Sequence, residues 1–193
     1  MAESRMKKSG TMKETLCLPL SIESQGIVYG DPIRTIERVQ ADFGRFTKDY
    51  YVCDHGRRAA VVAVADGRVL LTRQYRLLIN RLSLEVPGGG VESRETGAET
   101  AARECLEEAG VRCHDMRPLI AYQAGLDVWK NHTQVFMSEN CEEVDGAVHA
   151  AQRVWMPVQE CIEAVFAQKI QDSLSVIGLL AYNARRDTFA RSS

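Results

Sequence analysis

Three carboxylates lie close together in one short stretch of the chain, at Glu104, Glu107 and Glu108. Residues three and four apart are neighbours on a helix surface, so a helix here would place Glu104 beside both of the others. Like charges at this spacing repel each other, and a divalent cation would remove that repulsion. Carboxylate oxygens are the ligands that Mg²⁺ prefers, with water and phosphate oxygens completing its shell. The patch therefore predicts a magnesium site; the alternative is an exposed acidic face that pairs with Arg103.

A run of three glycines, Gly88–Gly90, comes shortly before the acidic patch. Because glycine has no side chain, its backbone amide or carbonyl approaches an ion or a phosphate closely. These glycines therefore allow the backbone to contribute to a site for an ion or a phosphate next to the carboxylates.

The acidic patch belongs to a segment with strong helical periodicity, for which we predict a helix over Ala98–Ala109. Its apolar residues recur at i, i+3, i+4, i+7, i+8 and i+11, which makes one apolar stripe opposite the carboxylates. Gly110 follows at the position typical of a helix C-terminal glycine. The stripe consists of Ala98, Ala101, Ala102, Cys105, Leu106 and Ala109.

Short strands and two more helices surround this segment. Asp66-Gly67 predicts a tight hairpin turn, and Phe43-Gly44 is a second turn candidate. Strands mixed with three helices, without regular alternation, predict an α+β domain built in layers. We expect residues 1–57 to form a tail and a small β subdomain, and residues 58–193 to form the main domain. The predicted strands are Ile36–Ala41, Asp49–Cys53, Ala59–Val64, Arg68–Gln74, Leu82–Val86, Leu119–Tyr122, Gln134–Met137 and Val154–Met156, and the further helices are Val158–Phe166 and Ser173–Asn183.

Composition excludes several classes of protein. The formal net charge of −2 argues against a nucleic-acid-binding or anionic-membrane-binding surface, since both need clustered positive charge. No run approaches the roughly 18 apolar residues of a membrane span, and the polar start lacks the apolar region of a secretory signal. The six cysteines contain no C-x-x-C pair. We therefore expect free thiols and a cytoplasmic location.

The glycines, the helix and its carboxylates together resemble the Nudix box, G-x5-E-x7-R-E-U-x-E-E-x-G-U, in which U is a bulky aliphatic residue. Here the box would run from Gly89 through Glu95 to Val111, and eight of its nine defined positions match. Cys105 replaces the first aliphatic residue, and a buried cysteine behaves as a small hydrophobe.

The resemblance implies a fold and an activity. Nudix hydrolases are α/β/α sandwiches around a mixed sheet, and they cleave a diphosphate that joins a nucleoside to another group, with Mg²⁺ or Mn²⁺. It implies that Glu104 and Glu108 are the main metal ligands and that Glu107 is a further ligand or a catalytic carboxylate. Gly88 matches the position whose backbone carbonyl joins the metal shell. Arg103 would pair with Glu95.

Two further runs narrow the resemblance to the ADP-ribose and nucleotide-sugar pyrophosphatase branch. They are Gln74-Tyr75-Arg76 and Glu85-Val86-Pro87-Gly88-Gly89. The branch implies that Arg76 contacts the substrate diphosphate and that Glu85 belongs to the substrate-binding set; the alternative for Arg76 is a surface arginine that ends a strand. In this branch an N-terminal β extension often helps to build a dimer. We therefore expect a small-molecule nucleotide substrate and a homodimer.

Two departures from the branch leave questions open. Ala147–Gln152 contains no acid, where many members carry a glutamate. The general base is therefore either an acid in the preceding loop, with Glu143 our candidate beside Glu142 and Asp145, or a helix glutamate. ADP-ribose members of the branch usually carry a proline in the loop after the box, but Gln123–Asp127 contains none. ADP-ribose and a hexose nucleotide therefore both stay candidate substrates. Other diphosphates, such as a dinucleoside polyphosphate or a coenzyme A derivative, and a non-hydrolysing nucleotide-binding module remain the alternatives.

Overall fold

The computed structural model describes residues 18–32, 34–144 and 151–190, with side chains to residue 186. The N-terminal tail, Cys17, Asp145 and most of the acid-free stretch 147–152 lie outside these ranges. The described helices are α1 (Gly97–Ala109), α2 (Val158–Phe166), α3 (Ser173–Ala190) and a 3₁₀ turn at Leu77–Ile79. The described strands are β1 (Ser21–Gly30), β2 (Thr35–Asp42), β3 (Thr47–Asp54), β4 (Arg58–Ala65), β5 (Arg68–Arg76), β6 (Arg81–Glu85), β7 (Gly88–Gly90), β8 (Val111–His114), β9 (Arg117–Gln123), β10 (Trp129–Lys130), β11 (His132–Ser138), β12 (Asn140–Glu143) and β13 (Gln152–Pro157).

A seven-stranded mixed sheet forms the centre of the molecule. Its main order is β13-β5-β4-β11-β9, with β6 paired to β5 and β7 paired to β4. β4 and β11 run parallel, and the other pairs are antiparallel. The turn between β4 and β5 is the predicted hairpin, because Asp66 and Gly67 both have positive φ, at 49° and 71°.

Helices cover both faces of this sheet. Successive residues of a strand point to opposite faces, so β4 must be apolar throughout when both faces are buried. Its side chains from Ala59 to Ala63 at odd positions pack in one cluster with Ala101 and Cys105 of α1. Those at even positions pack on the other face, with residues of α2 and α3. This arrangement confirms the predicted α/β/α sandwich.

Both ends of α1 are fixed by local hydrogen bonds. At the start, the Thr96 hydroxyl accepts from the Glu99 amide, and the Glu99 carboxylate accepts from the Thr96 amide at 2.8 Å, which is a capping box. At the end, Gly110 adopts the left-handed conformation with φ 64°, as its position predicts. The helix therefore begins and ends at defined residues, with the acidic patch in its last two turns.

The N-terminal strands form a second sheet in the order β1-β2-β3-β10. Its last strand comes from the main domain, since Trp129 and Lys130 pair with the end of β3. The Trp129 ring also stacks on His55, with 5.0 Å between ring centroids. β1 was not among the predicted strands, because all ten of its residues are exposed and no burial pattern marks it.

No helix within the described ranges is long and apolar enough to cross a membrane.

Candidate active site

Glu108, in the last turn of α1, is held between two strands. Its Oε1 accepts a hydrogen bond from the Gln74 side-chain amide of β5 at 2.6 Å, and its Oε2 accepts from the Gly88 backbone amide of β7 at 3.2 Å. Burial raises the pKa of Glu108, and the two donors oppose that rise because they stabilise the carboxylate. The carboxylate is thus fixed where α1, β5 and β7 meet.

Glu104 lies one helical turn earlier and contacts the glycine segment. Its carboxylate packs so closely against Gly89 that a Cβ at that position would overlap it. The absence of a side chain at Gly89 is therefore needed for the close approach of Glu104. The negative charge of Glu104 also raises the pKa of Glu108, as expected for two carboxylates one helical turn apart.

Arg103 links the rest of the acidic patch to the preceding loop. Its guanidinium pairs with Glu95 through two hydrogen bonds, of 2.8 and 3.1 Å, and this pairing holds the pKa of Glu95 down at about 2. Its Nη1 also donates to Glu104 and to Glu107, each at 3.0 Å. Glu107 points outward, with 58% of its side chain exposed. The expected contact between Arg103 and Glu95 is therefore present.

The carboxylate oxygens beside Gly88 and Gly89 are suitable ligands for a hard divalent cation. Glu104 and Glu108 offer carboxylate oxygens next to a backbone segment on which no side chain intervenes. Within the part of the chain that the structure describes, no three acidic, histidine or cysteine side chains converge enough to surround an ion. Glu107 is directed to Arg103 instead, and Gly88 meets the site through its amide. Glu104 and Glu108 are therefore the two side chains that would bind a cation.

Arg76 and Glu85 form an ion pair beside Glu108. The Arg76 Nε donates to Glu85 Oε1 at 2.8 Å, and its Nη2 donates to Glu85 Oε2. Glu85 is buried, with 6% of its side chain exposed, whereas 47% of the Arg76 side chain is exposed. The charge of Arg76 lowers the pKa of Glu108, so the guanidinium lies within electrostatic reach of the helix carboxylates. Glu85, whose two oxygens are both engaged, orients Arg76.

Glu142 and Glu143 lie on β12 and not in a loop, so that part of the sequence interpretation is wrong. The strand forms because it pairs in register with β8. Both Glu143 oxygens are engaged, one by Arg153 at 2.7 Å and the other by the Trp155 indole at 2.8 Å. Arg153 in turn donates to the carbonyl of Ala109 at the end of α1. Glu143 is therefore tied to the helix end through Arg153.

The contact between Gln74 and Glu108 was not predicted, although Gln74 belongs to the Gln74-Tyr75-Arg76 run that resembles the branch. A signal was available, because residues two apart on a strand share a face. Gln74 therefore had to face the same side of β5 as Arg76. Which side chain it would meet there depends on how α1 docks, and the local pattern does not contain that information.

Comparison with known proteins agrees with this geometry. Residues 54–174 match the NUDIX domain. The chain is 30% identical over 152 residues to a CMP-5'-(N-acetyl-N-hydroxy-3-aminopropyl)phosphonate hydrolase of Streptomyces rubellomurinus, which covers 76% of this chain and 73% of that protein. It is 28% identical over 147 residues to an ADP-ribose pyrophosphatase of Mycobacterium tuberculosis, which covers 72% and 71%.

The crystal structure of an ADP compounds hydrolase has the same fold, with a TM-score of 0.75, 18% identity, and coverage of 92% of this chain and 99% of that one. The family match spans well over half of the chain, and it includes α1, the glycine segment and the Arg76–Glu85 pair. The chain therefore belongs to the Nudix family of hydrolases, in the branch that contains the ADP-ribose pyrophosphatases.

Proposed function

We propose that this Nudix hydrolase cleaves the diphosphate of a nucleoside diphosphate sugar, with ADP-ribose as the first candidate and a hexose nucleotide as the second. The products are a nucleoside monophosphate and a sugar phosphate. The observation that carries the proposal is the position of Arg76 on β5, on the same strand face as Gln74, because Gln74 contacts Glu108 and a diphosphate needs both a cation site and a positively charged donor. The relative from Mycobacterium tuberculosis that is named ADP-ribose pyrophosphatase supports this substrate class.

The residues divide the chemistry among them. A divalent cation, Mg²⁺ or Mn²⁺, held by Glu104 and Glu108, would neutralise the diphosphate and make a water easier to deprotonate. Arg76 uses Nε and Nη2 on Glu85, and 47% of its side chain is exposed, so Nη1 is the group that would orient a phosphate oxygen. Water attacks one phosphorus, the bridging P–O bond breaks, and the proton passes to a carboxylate of the chain.

Glu107 and Glu143 are the two candidates for that proton acceptor, and they differ in the number of hydrogen bonds that hold the carboxylate. Glu107 is exposed and bound only by Arg103 among the described residues, whereas Glu143 has both oxygens engaged. We therefore expect Glu107→Gln to lower kcat about tenfold or more, and Glu143→Gln to lower it less. The two variants are compared at saturating substrate and Mg²⁺. A larger loss in Glu143→Gln would make Glu143 the acceptor.

The substrate class is tested with a panel of diphosphates in the presence of Mg²⁺. ADP-ribose, ADP-glucose, GDP-mannose, UDP-glucose, a dinucleoside polyphosphate and coenzyme A are supplied at equal concentration, and the released phosphomonoesters are measured. We expect the sugar nucleotides to be cleaved fastest. Much faster cleavage of the dinucleoside polyphosphate or coenzyme A would contradict the proposed substrate class. The assignment of the chain as a diphosphate hydrolase would still hold.

We also propose that residues 1–57 form a unit that helps two copies of the chain to associate. The supporting observation is exposed apolar surface on the edge strand β1, where 67% of the Ile22 side chain is exposed. A second exposed apolar patch lies at the β5–β6 hairpin, where Leu78 is 98% exposed. Contiguous apolar surface and an unpaired strand edge are typical of surfaces that another chain covers.

Light scattering at micromolar protein should then give about twice the chain mass of 21.5 kDa. Ile22→Lys combined with Ile27→Lys should shift the protein to the monomer, because lysine resists burial in an interface. Phe166→Lys, at an exposed apolar residue of α2, is the matched control and should leave the dimer intact. A monomeric wild-type protein would exclude this proposal.

We further propose that the enzyme works in the cytoplasm. Cys113 lies 3.5 Å from Cys105 and 3.6 Å from Cys141, sulfur to sulfur, and a reducing compartment would keep cysteines at this distance as thiols.

A further inference from the structure

Gln74 is the polar side chain that links the central sheet to the buried end of α1. Its side-chain nitrogen donates to Glu108 at 2.6 Å, and the same nitrogen lies 3.4 Å from the Thr72 hydroxyl. Thr72 is fully buried and donates to the backbone carbonyl of Glu85 at 3.3 Å. The amide of Gln74 is therefore held in place by the strand on one side and by the helix carboxylate on the other.

The contact has only one favourable orientation. A glutamine amide carries a donor and an acceptor, whereas an ionised carboxylate only accepts. The side-chain oxygen of Gln74 would repel Glu108, so the nitrogen must face it. With Gly88 donating to the other oxygen, each oxygen of Glu108 receives one fixed donor and keeps lone pairs free for a further partner.

Glu108 receives its hydrogen bonds from the sheet, whereas Glu104 and Glu107 receive theirs from Arg103. Glu108 is also partly buried, whereas 58% of the Glu107 side chain is exposed. Arg103, which holds Glu104 and Glu107, forms no hydrogen bond to Glu108 among the described residues. Hydrogen-bond donors on the central sheet therefore position Glu108, whereas Arg103 positions Glu104 and Glu107.

We infer that Gln74 is a positioning residue for divalent-cation binding: it holds the Glu108 carboxylate in a fixed orientation beside Gly88, without touching the cation or the substrate. This inference rests on the proposed function, since it assigns Glu108 to the cation. Residues that hydrogen-bond to metal ligands typically account for 10- to 100-fold in metal affinity. The effect of Gln74 is thus expected on cation affinity before any nucleotide is bound.

The test is isothermal titration of Mn²⁺ into the whole chain without nucleotide. Gln74→Met keeps the length of the side chain and removes the donor, so the dissociation constant for Mn²⁺ should rise about 10- to 100-fold. Gln40→Met is the matched control, because the Gln40 amide also donates to a carboxylate, that of Asp49 at 3.1 Å, but on the N-terminal sheet. The control should bind Mn²⁺ as the wild-type protein does.

A second readout separates positioning from general loss of structure. Mn²⁺ should raise the melting temperature of the wild-type protein, since a ligand that binds only the folded state stabilises it. In Gln74→Met this rise should shrink at equal Mn²⁺, whereas the melting temperature without Mn²⁺ should stay close to that of the wild type. Should Gln74→Met fail to fold, Gln74→Asn serves instead: it keeps the amide but is one methylene too short to reach Glu108.

The outcomes distinguish this inference from the function on which it rests. If the wild-type protein binds Mn²⁺ and cleaves sugar nucleotides, and a folded Gln74 variant binds Mn²⁺ within threefold of it, the inference alone is wrong. If the wild-type protein takes up no Mn²⁺, both the cation assignment and the inference are overturned. A loss confined to the Gln74 variants, with Gln40→Met unaffected, establishes the positioning role.

Discussion

Glu108→Gln should lower kcat by about a hundredfold or more, with Glu104→Gln close behind it. Losing the charge stabilisation that a bound cation provides costs rates of this order. At Glu108 the structure adds a second reason. The new amide would meet the donors of Gln74 and Gly88, so at least one donor would face another donor. The rate of sugar-nucleotide cleavage at saturating Mg²⁺ measures the effect.

The control for these variants is Glu163→Gln, which makes the same charge change on the exposed side of α2. It should keep the wild-type rate. The folds of the helix variants should survive, because removing one of two mutually repelling carboxylates does not disturb the core. Turnover like that of the wild type in Glu108→Gln would remove Glu108 from the active site.

Arg76→Ala should raise KM about ten- to a hundredfold, as the loss of charge-assisted hydrogen bonds worth about 1.5–3 kcal/mol predicts. It should also lower the melting temperature, since it leaves the buried carboxylate of Glu85 without its partner. Arg76→Lys should restore KM only in part. Lysine keeps the charge, but it cannot make the paired contacts to Glu85 and still offer a donor outward.

Glu85→Gln separates the two effects of the pair. An amide keeps most of the shape of Glu85 but weakens its hold on the guanidinium, so KM should rise by less than in Arg76→Ala. Steady-state kinetics on ADP-ribose and thermal melts of all three variants give the comparison. An Arg76→Ala enzyme with an unchanged KM would mean that Arg76 only braces Glu85 and does not meet the substrate.

Local sequence patterns were enough for the parts of the site that lie on one element. The helical stripe, Gly110 and the spacing of Glu104, Glu107 and Glu108 determined α1 and the face that carries the acids, because helix geometry alone fixes neighbours three and four residues apart. The Asp66-Gly67 turn was determined in the same way by the backbone preferences of those two residues. The resemblance to the Nudix box supplied the family, and the pairing of Arg103 with Glu95 that it implied is present.

Tertiary structure decided what each of these groups touches. Gln74 and Glu108 are 34 positions apart, and they meet only because α1 docks over the junction of β5 and β7. Glu143 was assigned to a loop because no local sequence pattern predicts the pairing of its strand with β8 or its contact with Arg153. β1 was missed for the opposite reason, since an exposed strand shows no burial pattern. Short-range periodicity encodes which way a side chain points, whereas its partner is set by how separate elements pack.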